Sequence, residues 1–383
     1  MRTFLLLCLV LCLWSCQSPK SKMDAAGAFP AVAGPTLDSG EIRKYHNAVE
    51  NFLNASLLRG NFNGSILVAK NGTIVYEKYV GFRDLRVKDS LDAYTPLQIA
   101  STSKPFTSAA ILKLVQEGEL SLNDTLGTFF PGFPYPGVTV KMLLNHRSGL
   151  PNYLYYLDKG GWDKKKMLSN EDVLQTLMTL KPPRSANPDR GFQYCNTNFV
   201  LLALIVERVS GESFPAYLKE NFFEPLQMEN TSVVTLADSL RRPLSFKASG
   251  GLWAFDYTDG PYGDKNIAST ARDLLKWDQA LYYNTIINKA LMDSAFQPYS
   301  NEKPSMHNYG LGWRLLTMKN GKKVIYHNGH WHGFNSAFAR LPDEKATIII
   351  LGNKYNSSIY TIARRMYNLF GKYDENGGLD TVE

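Results

Sequence analysis

The sequence predicts an α/β (α+β) fold: one antiparallel sheet is built from both ends of the chain, and a helical region is inserted between them. Three observations support this prediction. Strand patterns occur near the beginning, at residues 65–77, and return near the end, between residues 311 and 351. Helical patterns and loops dominate from residue 101 to about residue 281. Helical patterns at both chain ends flank the strands, so we expect them to cover the sheet.

Each predicted element has its own local signal. An amphipathic pattern from Ile42 to Leu58 predicts a first helix. Asn71-Gly72 between two β-rich runs predicts a hairpin. Further helices are predicted at 198–209, which Gly211 ends, and at 270–281. The C-terminal strands are predicted at 311–317, 323–327, 335–341 and 346–351, before a closing helix at 359–370.

Composition excludes several classes of protein. The chain has 383 residues, of which 44% are hydrophobic and 20% are charged. This balance allows a large core and is not typical of a disordered chain. The formal net charge of +7 is spread without a block of like charges. We therefore expect no nucleic-acid partner.

The first residues are typical of an export signal. Arg2 precedes an apolar run at residues 4–14, which is too short to span a bilayer. Leu13-Trp14-Ser15-Cys16 resembles the lipobox of bacterial lipoproteins. It predicts a signal peptide at 1–15 and lipidation of Cys16, which would anchor an exported protein to the membrane in the cell envelope or periplasm. A plain secretory signal that is cleaved nearby is the alternative.

The remaining chain divides into a tether and a domain. Residues 16–36 are rich in Ser, Ala, Gly and Pro, as in a flexible linker. Residues 37–373 form the predicted domain, with a sheet part at 37–100 and 280–373 and a helical part at 101–279. Cys195 is the only cysteine in that domain, so no disulfide can form within it.

Ser101 and Lys104 form the first chemical motif, Ser-x-x-Lys. On a helix, residues i and i+3 share a face, so a hydroxyl and an amine would be neighbours there. Pro105 is tolerated only in a first helical turn, which places Ser101 near a helix N-terminus. A second copy, Ser300 to Lys303, lies in polar sequence typical of a loop. Locally, a capping serine beside a solvated lysine is an equal alternative for the first copy.

Tyr194-Cys195-Asn196 precedes an apolar helical pattern. Tyr-x-Asn occurs five times in the chain, and only its position at the entrance to a buried helix distinguishes this copy. Asn196 and Asn198 are candidate N-caps of that helix. A capping loop with a structural tyrosine is the alternative interpretation.

His327-Asn328-Gly329 ends a strand pattern and is the only His-x-Gly in the chain. Gly329 would let a second backbone or a substrate approach closely, and backbone amides at such an edge can bind an oxyanion. His327, His330 and His332 could alternatively bind a metal. We expect no metal, because no nearby acidic residue completes the set and the two glycines, at 329 and 333, favour irregular backbone.

Taken together, the ordered triplet resembles the penicillin-recognising serine enzymes, in particular the class C β-lactamase branch with its DD-peptidases and esterases. The resemblance spans about residues 61–353, and the segment Leu143 to Pro151 is similar as well, with Arg147 where threonine is usual. It implies the serine β-lactamase/DD-peptidase-like fold. This fold combines an antiparallel sheet of about five strands with an all-helical domain, and the site lies between them. It also implies a reaction without metal or cofactor.

The resemblance implies roles for individual residues. Ser101 would attack an amide or ester carbonyl and form an acyl-enzyme. Lys104 and Tyr194 would handle protons, and the sequence does not decide which of them is the base. Asn196 would bind the substrate or orient Lys104. The backbone N–H groups of Ser101 and His330 would form the oxyanion hole.

His327 departs from the classical β-lactamases, which carry a lysine at this position. A neutral imidazole can donate a hydrogen bond to substrate but attracts anions less strongly. We therefore expect an esterase or a D-amino-acid or DD-peptidase-like enzyme with weak β-lactamase activity. Its substrates would be small molecules or peptides, peptidoglycan-derived ones among them. The alternative is a non-catalytic cell-envelope binding protein that retains the fold.

Overall fold

Both ends of the chain supply one seven-stranded antiparallel sheet, as the sequence predicts. The structure, a computed structural model, describes residues 35–238 and 242–373. Its strands are β1 (Gly64–Lys70), β2 (Thr73–Val80), β3 (Phe82–Asp84), β4 (Asp89–Ser90), β5 (Leu97–Gln98), β6 (Ser232–Val233), β7 (Ile267–Ser269), β8 (His307–Tyr309), β9 (Arg314–Thr317), β10 (Lys323–Trp331), β11 (Phe334–Leu341) and β12 (Ala346–Gly352).

The large sheet has the order β2-β1-β12-β11-β10-β9-β8. The first hairpin of the domain therefore lies beside its last strand. Asn71 and Gly72 join β1 to β2 with positive φ angles, as a tight hairpin turn requires. The resemblance implied about five strands, and the short strands β8 and β9 extend the sheet at one edge to seven.

Strand β10 is longer than predicted. It pairs with β11 in unbroken register from Ile325↔Arg340 to Trp331↔Phe334. The expectation of irregular backbone around Gly329 was therefore wrong, because that glycine serves close packing within a regular strand. His332 takes a positive φ of 52° in the two-residue turn that follows.

Helices cover the sheet and fill the inserted region. They are α1 (Ser39–Ala55), α2 (Lys104–Gln116), α3 (Leu126–Phe129), α4 (Val140–Leu144), α5 (Tyr153–Lys159), α6 (Asn170–Leu180), α7 (Asn196–Ser210), α8 (Phe214–Leu218), α9 (Ala271–Tyr283), α10 (Lys289–Ala295) and α11 (Ser358–Met366). Local signals set their ends: Asp38 caps α1 in a capping box with Glu41, and Gly211 ends α7 with φ 73°.

The sheet is buried on both faces. Alternate apolar residues of β1 and β12 pack against α1 and α11 in one core, as in Ile66 against the cluster that holds Leu53 and Ile359. Helix α9 lies on the sheet from the other side, where Asp278 pairs with Arg340 of β11. The sheet layer therefore includes a helix that begins before residue 280, the predicted boundary.

A second, three-stranded sheet was not predicted. Its order is β5-β7-β6, and it joins the segment before Ser101 to the loop that follows residue 260. Strands of two or three residues carry too little periodicity to be recognised in a sequence. All described residues belong to one compact unit.

The predictions for the signal peptide, Cys16 and most of the tether lie outside the described residues. Within the described part, the helices are too short or too polar to cross a membrane.

Candidate active site

Ser101 lies in a tight turn between β5 and α2. The turn is a 3₁₀ segment, Ala100–Ser103, and α2 begins directly after it. Pro105 occupies the first turn of α2, where its missing N–H leaves no helical hydrogen bond unmade. Ala100 has a φ of 48°, a strained value for a residue with a side chain. The sequence therefore places a half-buried nucleophile candidate on an unusually sharp turn.

Buried hydrogen bonds from two other strands hold this turn. The hydroxyl of Ser336, on β11, donates to the carbonyl oxygen of Ile99 at 2.6 Å and lies 2.8 Å from the Thr102 hydroxyl. The hydroxyl of Ser103 accepts from the backbone N–H of Ile267, on β7, at 3.1 Å. These contacts offset the backbone strain and fix the position of the nucleophile turn.

Lys104 is fully buried beside Ser101. Its Nζ lies 3.1 Å from Ser101 Oγ, 2.9 Å from Asn196 Oδ1 and 2.8 Å from the carbonyl oxygen of Asp264. Nζ also lies 4.8 Å from the ring centroid of Tyr194. The alternative of a solvated lysine is therefore excluded. The structure brings together Ser101, Lys104 and Asn196, as the sequence predicts.

Helix α7 begins at Asn196, and its N-cap is Cys195. The prediction that Asn196 and Asn198 cap this helix was wrong, because both side chains have buried partners elsewhere. Asn196 accepts from Lys104, and Asn198 accepts from the Ser148 hydroxyl at 2.7 Å. Burial raises the pKa of the Cys195 thiol to about 11, which does not favour a thiolate nucleophile.

Tyr194 lines the cavity that contains Ser101. Two basic side chains contact its ring, with Lys104 Nζ 4.8 Å and the Arg314 guanidinium 5.3 Å from the ring centroid. The contact with the Arg314 guanidinium is a cation–π interaction, which orients the ring. Tyr194 therefore contacts Lys104 through its ring, and the hydrogen bond to Ser101 comes from Lys104.

His146 supports Tyr194 from behind, with ring centroids 4.3 Å apart. The backbone N–H of Cys195 donates to His146 Nδ1 at 3.1 Å, so the neutral ring carries its hydrogen on Nε2. Burial is the main reason that the pKa of His146 lies well below its usual value, and the Arg314 charge lowers it further. The segment Leu143 to Pro151 suggested this residue only as part of a resemblance.

His327 is fully buried within β10. Its Nδ1 lies 2.7 Å from the Asn328 carbonyl oxygen, which only accepts, so Nδ1 carries the hydrogen and Nε2 accepts from the Tyr309 hydroxyl at 3.0 Å. Burial, with the charges of Arg314 and Lys104, holds the pKa of His327 well below its usual value. The ring is not among the residues that line the cavity. The expectation that it hydrogen-bonds to substrate is therefore not supported.

Gly329 brings β10 directly against the nucleophile turn. A Cβ atom on residue 329 would lie 2.2 Å from the carbonyl oxygen of Ile99 and 3.0 Å from the backbone nitrogen of Ser101. Only glycine fits this approach. His330, the next residue, lines the cavity with Ser101. Their shared position agrees with the predicted oxyanion hole, which stays a prediction.

The three histidines of the alternative metal site do not converge. His327 is occupied by Tyr309, and His330 Nε2 donates to the His332 carbonyl oxygen at 3.2 Å. His332 Nε2 instead lies 3.0 Å from Asp259 Oδ1, a partner that the sequence did not suggest.

Asp259 anchors this wall of the cavity. It also accepts from the Trp331 indole at 2.6 Å. Burial alone would raise the pKa of Asp259, but hydrogen bonds from His332 and Trp331 outweigh it and lower the pKa. In the described residues, Asp256, Asp259 and His332 form one group whose potential ligand atoms lie within 4.8 Å of one another. The carboxylate–imidazole hydrogen bond accounts for this proximity.

The site opens into a cavity of about 850 Å³. Aromatic side chains form much of its wall, and the polar groups converge near Ser101, as in many small-molecule sites. The lining residues are Ser101, Asn152, Leu154, Tyr155, Phe192, Gln193, Tyr194, Asn196, Trp253, Asp264, Lys265, His330, Trp331 and His332. A separate cavity of about 630 Å³, beside α8 and β6, contains none of the predicted site residues.

Sequence reasoning missed Asp264 and Lys265. They lie on the irregular loop before β7, where the sequence shows no motif, and only tertiary packing brings them to Lys104. Arg314 was missed as well, because a single arginine at the start of a short strand has no distinguishing pattern.

Fold and site together define a mixed α/β scaffold that places a Ser-x-x-Lys pair in a cavity. Residues 56–368 match the sequence profile of the family described as Beta-lactamase. The chain belongs to this family.

Individual relatives agree with this assignment. The chain is 34% identical over 316 residues to penicillin-binding protein 4* of Bacillus subtilis (strain 168), covering 78% of this chain and 70% of that protein. The crystal structure of a penicillin-binding protein from Bacillus halodurans matches with a TM-score of 0.73 and 23% identity, covering 84% of this chain and 99% of that one. D-amino acid amidase from Ochrobactrum anthropi SV3 matches with a TM-score of 0.69 and 22% identity, covering 85% and 97%. The two structures establish the fold, and the family supports serine hydrolase activity in general.

Proposed function

We propose that this chain is a serine hydrolase that cleaves an amide or an ester through an acyl-enzyme on Ser101. The observation that carries the proposal is the 3.1 Å contact between Lys104 Nζ and Ser101 Oγ. Two further hydrogen bonds, to Asn196 and to the Asp264 carbonyl oxygen, hold Nζ in this position. Burying an amine is unfavourable unless it is compensated. A binding protein has no need for such a buried amine beside a serine on a strained turn, whereas an enzyme can use it as a base.

The direction of these hydrogen bonds favours Lys104 as the base. The Asn196 amide oxygen and the Asp264 carbonyl oxygen can only accept, so each takes a hydrogen from Nζ. The Ser101 hydroxyl is the one partner of the three that can either accept or donate. When Nζ is neutral, its lone pair is therefore left for the Ser101 proton.

The reaction then follows from the geometry. Ser101 Oγ attacks the carbonyl carbon while its proton passes to Lys104, and the resulting oxyanion is received by the backbone N–H groups of Ser101 and His330. The bond to the leaving alcohol or amine breaks as that group takes up the proton held by Lys104, for which the Tyr194 hydroxyl is a candidate relay. Water then attacks the acyl ester while its proton passes to Lys104, and Ser101 Oγ takes that proton back as the acid is released.

The cavity favours substrates with an apolar group next to the scissile bond. Trp253, Trp331 and Phe192 supply aromatic surface, and the neutral His327 ring lies outside the lining. We therefore propose esters, and amides or peptides of small or D-configured amino acids, ahead of β-lactams. The relative in B. subtilis is named for penicillin binding, which makes a β-lactam a useful probe.

Active-site labelling tests the proposal. The full-length chain is treated with a fluorophosphonate or a fluorescent penicillin, and the modified peptide is identified by mass spectrometry. We expect an adduct on Ser101 that Ser101→Ala abolishes. Ser300→Ala is the matched control, because it removes the serine of the other Ser-x-x-Lys and should label normally. Absence of an adduct, with equal ester hydrolysis by wild type and Ser101→Ala, would favour the non-catalytic alternative.

We also propose that the chain acts in the cell envelope, anchored through lipid on Cys16. The apolar run at residues 4–14 followed by Ser15-Cys16 supports this location. Peptidoglycan-derived peptides would then be within reach as substrates. Incorporation of labelled palmitate in a lipoprotein-processing host, and its loss in Cys16→Ala, is the expected result. Labelling that persists in that variant would contradict it.

A further inference from the structure

A buried charged cluster adjoins the proposed base, and its side chains have no role in the mechanism above. Asp264 and Lys265 have side chains that are 1% and 3% exposed. Lys265 Nζ donates to the Tyr153 hydroxyl at 2.5 Å, and that hydroxyl donates to Asp264 Oδ2 at 3.0 Å. The ammonium and the carboxylate lie 3.5 Å apart. Buried charges are unfavourable unless they are paired, so this cluster requires an explanation.

Asp264 serves the two lysines differently. Its carboxylate faces Lys265, whereas its backbone carbonyl accepts from Lys104 at 2.8 Å. Lys265 Nζ also lies 4.6 Å from the ring centroid of Trp331 and 5.3 Å from that of Tyr153. Burial lowers the pKa of Lys265, and the Asp264 carboxylate opposes this effect and favours an ammonium there. Lys104 also faces two aromatic rings, those of Tyr194 and Phe199, but it has no carboxylate partner. The hydrogen-bond partners of Lys104 Nζ are all uncharged oxygen atoms.

We propose that Lys265 is a positioning residue that holds the positive charge of this site and thereby keeps Lys104 able to accept the Ser101 proton. A neighbouring cation disfavours a second ammonium, which is one way in which proteins activate a lysine. The inference rests on the proposed function and adds to it a reason for the protonation state of its base.

The other charged and titratable groups near the two lysines remain in place when Lys265 is replaced. They are Tyr153, Tyr194, His146, His327, Asp259 and Arg314. Both histidines are neutral, because burial holds the pKa of each well below its usual value. Arg314 and Asp259 keep their charges. The change in field at Lys104 therefore comes from Lys265 alone.

The pH dependence of kcat/KM for a neutral ester tests this role in the full-length enzyme. The acid limb of that profile reports protonation of the base. Lys265→Met removes the cation and leaves the Asp264 carboxylate, so we expect the acid limb to move upward by about one pH unit. Activity should be regained as the pH is raised past the displaced limb.

Two variants separate charge from packing. Lys265→Arg keeps the charge, and its acid limb should stay within about 0.3 pH units of wild type. Tyr153→Phe removes a hydrogen bond without changing charge, and it should also leave the limb in place. A parallel loss of activity at every pH in Lys265→Met, or an equal displacement in all three variants, overturns the proposal. If wild-type enzyme neither hydrolyses the ester nor takes up the fluorophosphonate, the proposed function itself has failed.

Discussion

Gly329→Ala examines how closely the strand β10 and the nucleophile turn must approach each other. The added Cβ atom would lie 2.2 Å from the Ile99 carbonyl oxygen, whereas ordinary van der Waals contact begins at 3.4 Å. The difference, 3.4 minus 2.2, requires the two backbones to separate by about 1.2 Å. Ser101 N, 3.0 Å from the same Cβ position, belongs to the segment that must move.

This displacement sets the size of the expected effects. A misplacement of about 1 Å at reacting groups can lower a rate by about 100-fold. We therefore expect kcat/KM for an activated ester to fall by about that factor. Overpacking of a buried site typically costs about 1–3 kcal/mol, so the free energy of unfolding in urea should fall by a similar amount while the protein remains folded.

Gly352→Ala is the matched control on β12. It is also a glycine in the large sheet, but the nearest atom to its added Cβ would be 3.5 Å away. We expect its kcat/KM to stay within about twofold of wild type, since no backbone has to move. The reasoning is refuted if Gly329→Ala retains wild-type kcat/KM and labelling rate, or if both variants lose activity equally.

Three further perturbations follow from the structure. Lys104→Met should lower kcat/KM by about 10²–10⁴-fold, because Ser101 loses its proton acceptor; a loss under about tenfold in the same ester assay would argue against that role. Arg340→Met should lower the free energy of unfolding in urea by about 3–5 kcal/mol with kcat unchanged, because Asp278, fully buried 2.5 Å from the guanidinium, loses its counter-ion; an unchanged unfolding midpoint would contradict this. Burial lowers the pKa of His146, so below about pH 6.5 the unfolded chain binds a proton that the folded chain does not. Stability is then complete above that pH and declines by about 1.4 kcal/mol per unit below it. His146→Asn removes this titrating group, so the slope of the unfolding free energy against pH should decrease by the contribution of one proton between about pH 7.5 and 5.5. A slope identical to that of wild type would exclude the assignment.

The elements that local patterns predicted share a common property. The hairpin at Asn71-Gly72, the end of α7 at Gly211 and the alternation in β12 all depend on residues that are neighbours in sequence or in period. The Ser101–Lys104 pair belongs to the same class, because one helical turn brings the two residues together. Local physics therefore anticipated the contact between Ser101 and Lys104 and the order of strands and helices around it.

Features that depend on distant packing could not be predicted in this way. Asn196 and Asn198 look like caps locally, but Lys104 and Ser148 compete successfully for their oxygens. Asp264 reaches Lys104 from 160 residues away along the chain. A loop without periodicity contains no signal for such a contact, so its role emerges only in the folded structure.

The His327-Asn328-Gly329 motif serves packing, although the resemblance places His327 where related enzymes have a substrate-binding lysine. Residues i and i+2 of a strand share a face, so His327 and Gly329 point to the same side of β10. On that side, the ring at 327 fills the space beside Tyr309, with the ring centroids 6.0 Å apart, and the missing side chain at 329 leaves room for the Ser101 turn. A lysine at 327 would enter a fully buried aromatic environment next to Arg314, where burial and the guanidinium charge oppose its own charge. His327→Lys should therefore disturb the contact with Tyr309 and leave the KM for anionic esters no lower than that of wild type.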